Sequence, residues 1–232
     1  MSDTVPKLPL KQEIVDTLII CATYVATAFM GGGWPFRILI GFCFVMSIIE
    51  IYVNATYADA NKNNVSVIRC SLMTVVLMTA TLAIFYKRLS PEQYVLWIGT
   101  VTAADAGGLF FGRIFGKRRP FLTRRISPNK TYAGYIGEAL SSVIVGWLII
   151  AIMKIPLQTA VIYYASTGFV ACVIGDLLGS AAKRELGIKN SEENLLDKPV
   201  LGKIEKLMRS RHGFLDCFDS ASVAFIYFII LL

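Results

Sequence analysis

The chain is poor in the residues that most often carry acid–base and metal chemistry. Its 232 residues include one histidine, His212, and five cysteines without a CxxC motif or a histidine at metal-ligand spacing. This argues against a zinc site and a disulfide framework, and the cysteines are predicted to be small core residues. Charged residues make up only 17% of the chain, which is too few for an ordinary soluble domain.

Long apolar runs account for this shortage of charge. Hydrophobic residues make up 55% of the chain, and the mean hydropathy is +0.60. Seven runs come near the ~20 residues that a helix needs to cross the hydrocarbon core of a membrane. They are Ile14–Met30, Phe36–Ala55, Val67–Tyr86, Tyr94–Phe115, Ile136–Met153, Leu157–Ala182 and Phe214–Leu232. The sequence therefore predicts an all-α, polytopic transmembrane protein with about seven membrane helices, folded as one domain over residues 1–232.

Basic residues are concentrated in two segments between the runs, residues 116–135 and 183–213. Because cytoplasmic loops carry an excess of lysine and arginine, both segments are predicted to face the cytosol, with the amino terminus inside and the carboxyl terminus outside. The net charge of +7 is then explained by topology, and no nucleic-acid partner is expected. The first run lacks a small-residue cleavage site and is predicted to be a retained helix. Short loops and the absence of a transit-like leader favour a bacterial cytoplasmic membrane.

Polar side chains within the runs carry the functional argument, since an ionised group at mid-membrane costs roughly 2.5–3.5 kcal/mol. Helical spacing places three acidic positions beside other polar or small residues. These are Asp105 with Gly112 and Arg113, Asp176 with Ser180, Lys183 and Arg184, and Asp216 with Asp219. The structural alternative for each acid is an interhelical salt bridge or a position near the membrane surface. Three such sites together favour function.

One loop segment predicts a phosphate-binding turn. In Ser127-Pro-Asn-Lys-Thr131, a proline, two hydroxyls and Lys130 directly precede an apolar helix. The N-terminal amide groups of a helix attract anions, so this segment is typical of a turn that holds a phosphate. Cationic loops alone would be explained by topology, but this order of proline, hydroxyl and lysine would not.

Three ordered blocks of these residues resemble the phosphatidate cytidylyltransferase family, also called CDP-diacylglycerol synthase. The blocks are Asp105 with Gly112-Arg-Ile-Phe-Gly-Lys117, then Ser127-Pro-Asn-Lys-Thr131, then Ser180, Lys183-Arg184, Lys189-Asn190, His212-Gly213-Phe214 and Asp216-Cys217-Phe218-Asp219. The resemblance spans roughly Ala104 to Ser220. The chain departs from the family pattern at Gly179, Asn190, Phe214 and Cys217, where the family has an acidic residue, an Asp, a Gly and an Arg. Glu50, in an earlier run, is a single further match.

The resemblance implies a membrane enzyme that converts CTP and phosphatidate to CDP-diacylglycerol and pyrophosphate. It implies Mg²⁺ as the cofactor, held by Asp176, Asp216 and Asp219, because hard oxygen ligands suit this ion. The implied catalytic residues are Asp176, Asp216, Lys183, Arg184 and His212. The implied substrate-binding residues are Ser127, Lys130, Thr131, Asp105, Arg113, Lys117, Ser180 and Lys189. These assignments place the catalytic-like helices within residues 94–232 and leave residues 1–93 as N-terminal helices.

Other functions remain open at this point. A CTP-dependent polyprenol kinase or a CDP-archaeol-type synthase would share the basic loop and the carboxylates, and a non-catalytic membrane paralogue would explain the four departures from the family pattern. The sequence leaves open whether the protein forms a homodimer. Within residues 191–211, apolar and basic residues alternate at helical spacing. This predicts a basic amphipathic helix that either lies on anionic lipid headgroups or packs over the site.

Overall fold

The computed structural model describes residues 19, 22–60, 68–116, 126–127, 130–156, 160–188 and 214–231. Within these ranges the chain forms helices and short connections, with no β-strand. Helical residues 22–29 and a 3₁₀ turn, Met30–Gly33, precede six α-helices. These are α1 (Trp34–Ala60), α2 (Ile68–Tyr86), α3 (Pro91–Phe115), α4 (Tyr132–Met153), α5 (Ala160–Glu185) and α6 (Phe214–Leu231).

The helices follow the predicted apolar runs. Helices α1 to α4 are each long and apolar enough to cross a membrane, and α5 and α6 follow the runs predicted from Leu157 and Phe214. Of the first predicted run, residue 19 and residues 22–30 are described and are helical. The prediction of an all-helical, polytopic membrane protein is confirmed.

A side-chain cap determines where α4 begins. The Thr131 hydroxyl accepts a hydrogen bond from the Gly134 amide at 3.1 Å, one of the amide groups that a helix leaves unpaired in its first turn. Helix α4 therefore begins at Tyr132, four residues before the predicted start at Ile136. Lys130 therefore lies two residues before the first residue of α4. The predicted phosphate-binding turn adjoins the amino-terminal end of this helix.

Helices α3 and α4 run antiparallel and approach each other closely at their glycines. A Cβ atom at Gly107 would lie 2.5 Å from the Gly137 carbonyl oxygen, and one at Gly108 would lie 2.6 Å from the Glu138 side chain. Small residues allow this close approach, and van der Waals contact is a main force that holds helices together in a membrane. The close packing places Glu138 of α4 against α3.

Helix α6 lies at the centre of the bundle, in contact with α1, α2, α3 and α5. An aromatic cluster packs around it: the Trp97 and Phe225 ring centroids are 4.6 Å apart, and those of Phe36 and Tyr94 are 4.8 Å apart. The cysteines whose side chains are described are free thiols, namely Cys43, Cys70, Cys172 and Cys217. All four are buried except the half-buried Cys217, which confirms for them the prediction of core residues. The Cys21 side chain lies outside the described residues.

Arg37 of α1 closes the end of α2. Its side chain is buried, Nε donates to the Ile84 carbonyl oxygen at 2.7 Å, and Nη2 donates to the Phe85 carbonyl oxygen. The guanidinium also lies 4.3 Å from the centre of the Trp34 ring. The last carbonyl groups of a helix lack hydrogen-bond partners within it and lie at the negative end of the helix dipole. The Arg37 guanidinium donates hydrogen bonds to two of these carbonyl groups and adds a favourable positive charge, so it links α1 to α2.

Candidate active site

Five of the charged residues predicted for the site lie where the start of α4, the second half of α5 and the start of α6 come together, namely Lys130, Asp176, Lys183, Asp216 and Asp219. The Lys130 ammonium lies 2.6 Å from Glu138 Oε1 and 2.8 Å from Asp176 Oδ2. We call these three residues the Lys130 cluster. The Lys183 ammonium bonds the Asp216 carboxylate, and these two residues form the Lys183–Asp216 pair. Three helices thus contribute to one charged centre inside an apolar bundle.

The Lys130 cluster combines one cation with two carboxylates. The side chains of Lys130 and Glu138 are 21% and 5% exposed. Burial alone would lower the pKa of the Lys130 ammonium, but the negative charges of Asp176 and Glu138 outweigh burial and raise that pKa above its ordinary value. Lys130 is therefore a cation throughout the physiological pH range, which is the state that binds a phosphate.

The Lys183–Asp216 pair joins α5 to α6. Lys183 is buried in the last turn of α5, and Asp216 lies in the first turn of α6. A cation near the carboxyl end of a helix and an anion near the amino end each interact favourably with the helix dipole. Both helices therefore stabilise the charge that they contribute, and the pair holds the end of α5 next to the start of α6.

Asp219 lies one helical turn further into α6 and is 2% exposed. Its Oδ1 accepts a hydrogen bond from the Ser220 amide at 2.6 Å, while its buried Oδ2 has no hydrogen-bond partner among the described residues. Asp176, Lys183 and Asp105 are close enough to interact electrostatically with this carboxylate. An unpaired buried oxygen is costly, so a cation or a hydrogen-bond donor would be stabilised here.

Gly179 of α5 leaves the space that Asp219 occupies. A Cβ atom at position 179 would overlap the Asp219 carboxylate, and one at Gly175 would lie 2.6 Å from the Asp219 carbonyl oxygen. The two glycines are four residues apart, so together they let α5 and α6 approach backbone to backbone. At position 179, where the resembled family pattern has an acidic residue, this chain instead accommodates the carboxylate of Asp219.

Glu50 of α1 holds the start of α6. Its side chain is fully buried, and its two oxygens accept hydrogen bonds from the amides of Phe214 and Leu215, each at 2.7 Å. Amides in the first turn of a helix lack partners within it, so Glu50 acts as an N-terminal cap supplied by another helix. The capped turn carries Asp216, and Glu50 therefore positions the acidic end of α6.

Three further predicted residues lie close to the Lys130 cluster in sequence or structure. Thr131 is buried and caps α4. Ser127 is half-buried, and its carbonyl oxygen accepts a hydrogen bond from the Lys130 amide at 3.3 Å. Ser180 is buried on α5. The Thr131 hydroxyl is thus used to cap α4, and the phosphate-binding role of the segment before this helix stays a prediction.

The remaining predicted residues lie at the periphery or beyond the described ranges. Arg184 is exposed and donates to the Ile188 carbonyl oxygen at 3.2 Å, which closes the end of α5. Asp105 and Arg113 are exposed on α3, and the charge of Asp105 acts on Asp219. The residues Lys117, Lys189 and His212 and the amphipathic helix predicted within 191–211 lie outside the described residues.

A family comparison covers the part of the chain that contains this arrangement. The sequence model of the cytidylyltransferase family matches residues 92–232, more than half of the chain, and includes the Lys130 cluster and the Lys183–Asp216 pair. The chain belongs to the cytidylyltransferase family. The resemblance found in the sequence is thereby confirmed.

Several curated relatives of this cytidylyltransferase-family chain are named phosphatidate cytidylyltransferase. The protein of Haemophilus influenzae is 32% identical over 144 residues, which cover 56% of this chain and 44% of the relative. The protein of Staphylococcus haemolyticus is 28% identical over 194 residues, with coverage of 82% and 67%. The protein of Mycobacterium leprae is 34% identical over 113 residues, with coverage of 48% and 35%. The chain spans about half the length of the curated relatives it matches, and no solved structure matches it.

The carboxylates of this family member fit the predicted Mg²⁺. No three His, Cys, Asp or Glu side chains converge as a metal cage within the described part of the chain. Mg²⁺ does not require such a cage, because it usually keeps several waters and is bound by one or two carboxylates together with substrate phosphates. The unpaired Oδ2 of Asp219 and the neighbouring carboxylate of Asp176 form a donor set of this kind. The residues present therefore fit an ion that arrives with a nucleotide.

Two acidic residues of the site, Glu138 and Glu50, are not among the predicted site residues. Each is a lone acid inside an apolar run, and the cost of burying a carboxylate in a membrane marks such positions as functional or structural. That signal was present in the sequence. The sequence did not indicate the partners of these acids. Glu138 pairs with Lys130, which lies in a loop, and Glu50 accepts hydrogen bonds from the amides of Phe214 and Leu215, which belong to a helix far along the chain.

Proposed function

We propose that the protein is a phosphatidate cytidylyltransferase, which forms CDP-diacylglycerol and pyrophosphate from CTP and phosphatidate. The observation that carries this proposal is the meeting of the Lys130 cluster and the Lys183–Asp216 pair between α4, α5 and α6. Lysines and carboxylates concentrated inside an apolar bundle suit phosphate groups that must react beside lipid. Family membership and the names of the curated relatives support the same reaction.

The proposed reaction requires alignment and charge neutralisation more than proton transfer. An oxygen of the phosphatidate phosphate attacks the α-phosphorus of CTP and forms a new P–O bond. The bond from that phosphorus to the β-bridging oxygen breaks, and pyrophosphate leaves with the electron pair. Because the attacking oxygen is already ionised near neutral pH, no general base is needed. A chain with a single histidine is compatible with this chemistry.

Lys130 and Lys183 are the proposed phosphate-binding cations. Carboxylates hold both ammonium groups in the structure, and oxygens of the substrate phosphates would replace part of these contacts. The exchange keeps each lysine paired and makes the carboxylates of Asp176 and Asp216 available. Mg²⁺, when bound by Asp176 and Asp219 with support from Asp216, would neutralise charge on the reacting phosphates.

We place this site on the cytosolic side of a bacterial cytoplasmic membrane. The start of α4 and the end of α5 both adjoin segments rich in lysine and arginine, residues 116–135 and 183–213. The excess of basic residues in cytoplasmic loops supports this orientation. CTP would then reach the site from the cytosol, while phosphatidate is a component of the membrane itself.

The test is incubation of the purified protein with α-³²P-labelled CTP, phosphatidate and Mg²⁺, with labelled lipid and pyrophosphate both measured. Asp216→Asn is expected to lower CDP-lipid formation by about 100-fold or more, the usual size of a lost electrostatic contact to reacting groups. Ser222→Ala, a buried change further along α6, should retain turnover. Release of CDP in place of pyrophosphate would identify a lipid kinase, and wild-type protein without any nucleotide turnover would favour a non-catalytic member of the family.

Lys130→Met is expected to lower both the stability and the turnover of the protein. It leaves Glu138 and Asp176 without their cation, and removal of one partner from a buried ion pair costs about 3 kcal/mol or more. Adding Glu138→Gln removes the more buried of the two unpaired charges and should recover much of the unfolding temperature. Thermal unfolding in detergent and labelled CTP turnover measure the two effects separately. If the double variant regained turnover, Lys130 would act only in stabilising the fold.

A further inference from the structure

Lys130 has two acidic partners, and the two contacts differ in kind. Its ammonium donates a hydrogen bond to Glu138 Oε1 at 2.6 Å. Asp176 Oδ2 lies 2.8 Å from the same ammonium, but this oxygen has no hydrogen-bond partner among the described residues. The Glu138 side chain is 5% exposed, whereas that of Asp176 is 26% exposed. Asp176 is therefore the partner that can be exchanged, and Glu138 is the partner that stays.

The position of Glu138 along α4 decides where the Lys130 ammonium lies. Lys130 precedes this helix, whose first residue is Tyr132, and Glu138 lies six residues further along, a rise of ~9 Å at 1.5 Å per residue. A lysine near the end of a membrane helix ordinarily extends its ammonium toward water. The hydrogen bond to Glu138 instead draws the ammonium along α4 and into contact with Asp176 inside the bundle.

Helix α3 leaves the Glu138 side chain little freedom. A Cβ atom at Gly108 would lie 2.6 Å from both Cγ and Oε1 of Glu138, so the carboxylate lies directly against the backbone of α3. A larger residue at position 108 would push the oxygen that binds Lys130. Because the carboxylate is buried, loss of its cation would be costly. Glu138 is therefore held in place and kept paired.

We propose that Glu138 is a positioning residue, which holds the Lys130 ammonium in the site while a substrate phosphate takes the place of Asp176 on that ammonium. This inference rests on the proposed function and gives the two acids different roles. Asp176, once released, is available to Mg²⁺, whereas Glu138 contacts neither substrate nor metal. The phosphate comes from the nucleotide or from the lipid, and ligand binding distinguishes these two sources.

Glu138→Gln separates positioning from folding. It keeps the length of the side chain but removes the charge that retains the ammonium, and Lys130 still has Asp176 as a partner. We expect kcat to fall by about 100-fold, since a displacement of ~1 Å can cost that much, while the unfolding temperature changes little and the KM values for CTP and phosphatidate do not rise. Glu138→Asp restores the charge and should recover part of the loss in kcat. A rise in KM at unchanged kcat, or a loss of activity in proportion to stability, would overturn the assignment.

Gly108→Ala should act through the same carboxylate. The added methyl group pushes Glu138 away from Lys130 and should lower kcat by about tenfold in the wild-type protein, but no further in the Glu138→Gln protein. The matched control is Gly99→Ala, which crowds the same pair of helices at Ile149 and should leave kcat nearly unchanged. Equal losses from Gly108→Ala in both proteins would overturn the assignment, because the substitution would then act on helix packing alone.

Ligand binding gives a readout that needs no turnover. Binding of α,β-methylene-CTP and of dioleoyl phosphatidate to the protein in detergent is measured by isothermal titration calorimetry. The ligand whose phosphate replaces Asp176 should bind about tenfold more tightly to the Glu138→Gln protein, because a negative charge beside that phosphate is removed. Weaker or unchanged binding of both ligands would overturn the assignment. The expected change, in a protein that forms no CDP-lipid as wild type, would reject the proposed reaction and retain the role of Glu138.

Discussion

Glu50→Gln is expected to lower CDP-lipid formation by about 100-fold, because a displacement of ~1 Å in reacting groups can cost that much. In the structure both oxygens of Glu50 accept hydrogen bonds from amides at the start of α6. Glutamine keeps one oxygen and directs an NH₂ donor at the other amide, so one charge-assisted hydrogen bond, worth ~1.5–3 kcal/mol, is lost. The first turn of α6 would shift, and Asp216 and Asp219 would shift with it. Measurement of kcat and of the Mg²⁺ concentration for half-maximal activity detects this shift.

The matched control for Glu50 is Glu185→Gln. Glu185 also caps a neighbouring helix, because its Oε2 accepts from the amides of Arg69 and Cys70 at 2.9 and 3.1 Å at the start of α2. That helix carries none of the proposed site residues. Both variants should lower the unfolding temperature, but only Glu50→Gln should change the Mg²⁺ requirement. If the two variants lost activity in proportion to stability alone, Glu50 would have no special part in positioning the site.

Gly179→Ala is expected to lower activity to a similar degree, about 100-fold, by displacing the carboxylate of Asp219, a proposed Mg²⁺ ligand. The new methyl group would overlap Asp219 Oδ2 and lie 2.7 Å from its Cβ atom. Asp219 has little room to move, since the backbone of α6 at this residue already packs against Gly175 and Glu50 holds the helix start. Overpacking of this kind also costs ~1–3 kcal/mol of stability. Turnover, its Mg²⁺ dependence and the unfolding temperature together measure the outcome.

Gly99→Ala is the control for Gly179→Ala, because it also adds a methyl group at a close helix contact but does so far from Asp219 in the sequence. A Cβ atom at Gly99 would lie 2.6 Å from Cδ1 of Ile149, the far end of a flexible side chain that can rotate away. This substitution should leave turnover nearly unchanged. Full activity of Gly179→Ala would show that the position of the Asp219 carboxylate is unimportant, and the proposed metal role of Asp219 would then be withdrawn.

The helices were predictable where the sequence changes sharply from polar to apolar. Helix α2 begins at Ile68 and ends at Tyr86, as the predicted run from Val67 to Tyr86 indicates, because charged or polar residues border it on both sides. The start of α4 was less predictable. Its first turn contains Tyr132 and small residues with little hydropathy signal, and the helix begins there because the Thr131 hydroxyl caps it.

The sequence predicted which residues belong to the candidate site better than it predicted which of them form ion pairs. Asp176 and Lys183 were predicted on one face of a helix, but each pairs with a residue from elsewhere: Asp176 with Lys130, and Lys183 with Asp216. Spacing along one helix shows which side chains share a face. It contains no information about which helix that face meets, which depends here on glycines such as Gly179 that allow close packing.

The Lys130 cluster also bears on how the chain enters a bilayer. Alone, α5 would carry the charge of Asp176 into hydrocarbon, and α4 would carry that of Glu138, at roughly 2.5–3.5 kcal/mol for each ionised group. Lys130 contacts both acids at once, so the three groups share a single net negative charge only when α4 and α5 are already side by side. Side-by-side packing of these two helices therefore lowers the free-energy cost of burying both acids in the membrane, and the same contact assembles the proposed site.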